Sequence, residues 1–128
     1  MRVIADQERF VATLFPNERQ LHPLRSALAS WLDEAGVGEE SRHAVVLAVH
    51  EATAATLDRS GAAIVVRARL RGESIAVQVA GDRDWSALPD LDEGGYRMRL
   101  IRALASAAFP RKTPAGVVLQ MELSRVTA

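Results

Sequence analysis

Glu51 is the residue whose setting invites chemistry. It lies in Leu47-Ala48-Val49-His50-Glu51-Ala52-Thr53-Ala54-Ala55-Thr56-Leu57, a run that reads as the centre of a long helix. Val45, Val49, Ala52 and Thr56 recur at helical spacing on one stripe, with Val46 and Thr53 beside them. A carboxylate next to such a stripe is not fully buried without a partner. Either it tips out to water, as an ordinary helix glutamate does, or it faces a cleft. Other candidates are weaker. His43 and His50 share a helix side, but seven residues apart, not at the i, i+4 spacing of a two-histidine metal pair. The chain has no cysteine, which excludes disulfides and thiolate metal sites. No metal site is expected. Arg67, Arg69 and Arg71 form a row that could meet phosphate, yet no aromatic residues interleave with it for base stacking. That row reads as a wet sheet face, and no nucleic-acid partner is expected.

The bulk composition bounds the rest. A length of 128 residues favours a single domain, residues 1–128, able to bury its own core. The formal net charge of +0 gives no bulk attraction to nucleic acid or membrane. No apolar run approaches the ~20 residues of a membrane span, and the N-terminus lacks a signal-peptide core. A soluble cytoplasmic chain is the expectation.

Several elements must position Glu51. Arg9 to Phe15 alternates, with Phe10, Ala12 and Leu14 on one side, and predicts a strand ended by Pro16-Asn17. Leu21 to Ala35 predicts a helix whose apolar face is Leu21, Leu24, Leu28, Trp31, Leu32 and Ala35. Pro23 fits its first turn, and Gly36-Val37-Gly38 stops it. Trp31 reads as a core anchor. The helix carrying Glu51 starts near Glu39 or Ser41 and runs to about Arg59, where Ser60-Gly61 ends it. Ala63–Arg71 and Ser74–Ala80 predict a hairpin about Gly72-Glu73. Gly81 to Gly95 predicts a long acidic loop of the kind that often serves as a lid. Tyr96 or Arg97 to about Ala108 predicts a third helix, striped by Met98, Ile101, Leu104, Ala105 and Ala108 and ended by Phe109-Pro110. Gly116 to Ser124 predicts the last strand, with Val117, Leu119, Met121 and Leu123 inward and Val118, Gln120 and Glu122 outward. Single apolar faces throughout predict an α/β (α+β) two-layer sandwich. Its mainly antiparallel, mixed sheet would carry about three helices on one face.

This order of elements resembles the GHKL, or histidine-kinase-like, ATPase domain. More narrowly, it is similar to the anti-sigma-factor serine kinases of bacterial partner switching, over Phe10 to Leu123. The resemblance implies that Glu51 stands where the family's pattern E-x-x-x-N-A places a catalytic glutamate. The Mg²⁺-binding asparagine of that pattern falls on Ala55, which cannot ligate a hard cation. The family's adenine-binding D-x-G falls on Gly81-Asp82-Arg83, so its aspartate is Gly81 and its glycine is Arg83. Asp82 is one residue out of register and points to the other side of an extended chain. The lid-closing G-x-G-L falls on Gly95 and Arg97, with arginine in place of the second glycine, before a helix whose N-terminus would hold phosphate. Gly116, ahead of the last strand, is kept.

The resemblance therefore implies a regulatory protein-binding module of anti-sigma-factor type with a degenerate ATP site. Glu51 would be a vestigial general base, and no cofactor is expected. The partner by analogy is a sigma factor, a STAS-type anti-anti-sigma protein or a phosphatase; a homodimer also stays open. Two alternatives remain. One is an active kinase using Mg·ATP. The other is an unrelated two-layer α/β interaction domain in which Glu51 is a surface charge.

Overall fold

The computed structural model describes residues 1–57, 62–81, 95–114 and 116–126. Its sheet begins with β1 (Arg2–Ala5) and β2 (Arg9–Leu14). The turn between them is held by Asp6, whose Oδ1 accepts from the Glu8 and Arg9 amides at 2.9 and 2.8 Å. Those two backbone donors hold its carboxyl below the ordinary 3.8. A 3₁₀ turn at Glu18–Gln20, capped by Asn17, feeds α1 (Leu21–Glu34). Gly36 has φ 77°, and the Val37 amide donates back to the Leu32 carbonyl, so the helix ends in a left-handed cap. α2 (Glu39–Leu57) follows, then the hairpin β3 (Ile64–Arg71) and β4 (Ser74–Ala80). α3 (Gly95–Leu104), β5 (Ala107–Thr113) and β6 (Gly116–Ser124) complete the chain.

The strand order is β1-β2-β3-β4-β6-β5, and all five pairings are antiparallel. The expected mixed sheet is thus wholly antiparallel. Register explains why one face is dry. Phe10, Ala68, Val77 and Met121 stand in one cross-strand row, and Ala12, Val66, Val79 and Leu119 in the next. All eight are buried, and they form one core with Leu24, Leu28, Leu32, Val45, Val49, Ala52 and Ile101 from the helices. The helices carry single apolar stripes, so this face of the sheet is where they bury them. Trp31 is the expected anchor. It packs on Phe10 with ring centroids 5.7 Å apart, and its Nε1 donates to the Asp6 carbonyl at 2.8 Å.

Two expectations need correction. The third helix does not reach Ala108; it stops at Leu104. The Ser106 amide and hydroxyl both donate to the Glu122 carbonyl, at 2.8 and 2.9 Å, and convert the chain to a strand. Ala108, Phe109 and Pro110 then lie in β5, an edge strand, where a proline removes no ladder bond the sheet needs. Val118 and Gln120 do face away from the helices, but both are buried rather than wet. Gln120 Oε1 accepts from Gln78 Nε2 at 3.0 Å and from Arg111 Nη1 at 3.3 Å. The end of α2 expected at Arg59-Ser60-Gly61 lies outside the described residues. So does nearly all of the expected loop 81–95.

Candidate functional site

Glu51 faces a cleft. Its carboxylate is 17% exposed and lies 3.6 Å from Arg97 Nη1, itself 37% exposed. α2 supplies Glu51 from its middle, and α3 supplies Arg97 from its first turn; the two helices pack against each other. Glu18, Leu21, His50, Ala54 and Leu57 complete a cleft of about 210 Å³ around the pair. This is a half-buried ion pair closing across two helices.

His50 extends it. Arg25 Nη1 on α1 donates to His50 Nδ1 at 2.8 Å, which requires that nitrogen unprotonated. Burial, then the Arg25 charge, push the His50 imidazole below its ordinary 6.5. Glu51 acts in the opposite direction, and Arg97 again downward. The neutral form is thus favoured at neutral pH. His43, seven residues earlier, is exposed and takes no part. Among the described residues no three His, Asp or Glu side chains converge as a metal site would require.

The other expected positions divide into three groups. Arg97 joins Glu51 directly, and Gly95 is the buried first residue of the same helix. Ala55, one turn beyond Glu51, is half-buried and packs against the core. Its methyl group brings no oxygen to the cleft. Gly81 follows the last residue of β4 and is half-buried. Gly116 opens β6 with φ 131°, a conformation that side chains rarely adopt, so a hairpin turn already requires a glycine there. Asp82 and Arg83 lie outside the described residues. Sequence reasoning missed Arg25. It stands 25 residues from His50, and no periodicity links α1 to that helix face.

A family model for the histidine kinase-like ATPase domain matches residues 15–123. The chain belongs to this family. None of the curated proteins matches its sequence. Among solved structures it is similar to the RsbU and RsbW domains of Rv1364c from Mycobacterium tuberculosis, with a TM-score of 0.68 at 20% identity. The match covers 91% of this chain and 33% of that one, so the present sequence spans about a third of the solved protein. The six-stranded antiparallel sheet with helices on one face is the fold of this ATPase family. No helix among the described residues is long and apolar enough to cross a membrane.

Proposed function

We propose that this histidine-kinase-like domain is a protein-binding regulator of anti-sigma-factor type that transfers no phosphate. The observation that carries the reading is the Arg97–Glu51 ion pair. Glu51 occupies the position of the family's catalytic carboxylate. Arg97 occupies a lid position where the family's pattern has a glycine, and its guanidinium holds that carboxylate. With the guanidinium beside it, that carboxylate faces a cation rather than an attacking hydroxyl. Ala55 adds to this, since a methyl cannot replace the asparagine oxygen on Mg²⁺. Gly81 offers no carboxylate to an adenine amino group. The residues present do not fit a Mg·ATP held in the family's manner.

What the fold retains is a rigid sheet with a helix layer able to present a docking surface. The kinship with an RsbW domain supports a partner of the sigma-factor, STAS-type or phosphatase class. The test mixes the purified domain with sigma factors and STAS proteins of its source organism, with and without radiolabelled Mg·ATP. The expected outcome is a complex on gel filtration that forms without nucleotide, with no label on the partner. Transfer of label to a partner serine would overturn the proposal in favour of an active kinase.

A further inference from the structure

Among the described residues the helices cover one face of the sheet and leave the other open. Register assigns the rows of that open face. Arg9, Arg69, Ala76 and Glu122 stand in one row; Val11, Arg67, Gln78 and Gln120 stand in the next. Arg71 follows Arg69 by two residues and shares its face. Arg111 enters from the edge strand through its bond to Gln120. These side chains line an open groove of about 350 Å³. The one carboxylate in the two rows, Glu122, is engaged by Arg71 at 3.8 Å. Arg67 and Arg69 form no ion pair among the described residues, and the charge of Arg9 meets only Asp6, at the turn beside it.

This concentration of charge is local, because the whole chain has a formal net charge of +0. It also opposes folding: Arg9 and Arg69 are direct cross-strand partners, and like charges so placed destabilise a sheet. Solubility alone does not explain that cost, since interspersed signs would serve as well. Between the cations the floor is aliphatic, with Val11 half-buried and Ala76 and the buried Val118 on the same face.

We infer that this open face docks an acidic protein segment. Arg67, Arg69 and Arg71 recur along β3 at intervals of about 6.8 Å. Carboxylates on alternate residues of an extended segment recur at the same interval, and a guanidinium fork takes a carboxylate in two parallel bonds. Apolar groups between those carboxylates rest on Val11 and Ala76. The aliphatic floor fits a polypeptide better than a nucleic acid: among the described residues of the strands one exposed ring, Phe109 opposite Gln120 on the edge strand, stands on this face, and it is not interleaved with the arginines as a base-stacking platform requires. A second copy fits worse, since a symmetric pairing would set the same arginine rows against each other.

The test uses fluorescence anisotropy with a short labelled peptide alternating glutamate with valine and serine. The peptide binds the wild-type chain, and added salt weakens it. Arg67→Glu with Arg69→Glu lowers the affinity by roughly tenfold or more, as expected for losing charge-assisted bonds. Arg102→Glu, exposed on α3, leaves it unchanged. Amide shifts on titration cluster in β2 and β3. Should the double charge reversal not fold, Arg67→Gln with Arg69→Gln carries the same test with side-chain length nearly kept. Equal binding by wild type and variant, or shifts confined to α2 and α3, overturns the inference. So does tighter binding of a thymidine oligonucleotide on the same face. A wild-type dimer that the double substitution dissolves overturns it as well, because the face then serves self-association.

Discussion

Restoring the family's pattern at four positions should restore nucleotide binding, and the wild-type chain should bind Mg·ATP at about millimolar concentration or weaker. The perturbation is Ala55→Asn, Gly81→Asp, Arg83→Gly and Arg97→Gly together. Two polar contacts return, a metal ligand at 55 and an adenine acceptor at 81. Each charge-assisted bond contributes about 1.5–3 kcal/mol, so the pair contributes about 3–6 kcal/mol. That corresponds to roughly 10²- to 10⁴-fold in affinity, which moves a millimolar constant to micromolar or below. Releasing Glu51 from Arg97 is a minor energetic term, well under ~1 kcal/mol for a pair this exposed, though it frees the carboxylate. The fold should tolerate the changes. Asparagine and glycine inside two helices cost roughly 1.5–2 kcal/mol in propensity, a fraction of a typical domain's stability. Isothermal titration with Mg·ATP is the assay. Arg97→Gly alone should change little, because position 55 still lacks an oxygen. Low-micromolar binding by wild type would refute the reasoning, and so would full recovery from one substitution.

Four further outcomes are expected. Thr53→Val should stabilise the protein by about 1 kcal/mol, or roughly 4 °C in Tm, because the fully buried Thr53 hydroxyl has no hydrogen-bond partner among the described residues and valine keeps its shape; a lower melting point would show the hydroxyl is satisfied in solution. For His50, the folded imidazole binds its proton less readily than the unfolded one. Stability is therefore full above the unfolded value of about 6.5 and declines as pH falls from there toward the lowered folded value. Melting curves between about pH 7.5 and 5.5 should show the decline in wild type and much less of it in His50→Gln; equal slopes would refute the assignment. Arg69→Thr removes the repulsion with Arg9 and should raise stability by up to about 0.5 kcal/mol in urea titrations, where a loss would count against the like-charge argument. Glu51→Ala should leave complex formation with the protein partner unchanged on gel filtration; loss of the complex would place Glu51 in the interface.

Where a segment has one buried face, its sequence showed it. The hairpin Ile64–Ala80 and the strand Gly116–Ser124 stand where alternation puts them, since period-two burial is written directly into residue type. Edge strands carry no such record. All four residues of Arg2–Ala5 are exposed, and the strand is held by ladder bonds that any residue type can make. Ala107–Thr113 was hidden differently: Ala105 and Ala108 continue the spacing of Met98 and Ile101, so a helical stripe reads through the strand. The decisive contact, Ser106 to the Glu122 carbonyl, joins residues 16 apart and leaves no local trace. The same holds for the site. Glu51 is legible from its neighbours in the helix, and Arg97 from its place in a family pattern. That the two meet depends on how α2 and α3 pack.

The two faces of this sheet carry different constraints, and that difference bears on how the proposed regulator could switch. On the helix side, Glu51, Arg97, His50 and Arg25 join all three helices through side-chain contacts only 2.8–3.6 Å long. Each contact is worth little singly, but together they tie α1 and α3 to α2. On the open side, Arg9 and Arg69 repel each other across the strands and Arg67 and Arg69 form no ion pair among the described residues, so a bound acidic segment would relieve strain rather than add a contact to a satisfied surface. Relief on that side would tighten the pairing of β2 with β3. Those two strands carry Phe10, Ala12, Ile64 and Val66, which pack into the core shared with α1 and α2. Coupling between the faces then has a physical route through the core. It is measurable as protection from hydrogen exchange at Val45 to Ala52 when the acidic peptide binds β3. Unchanged exchange in α2 at saturating peptide would show that the faces act independently.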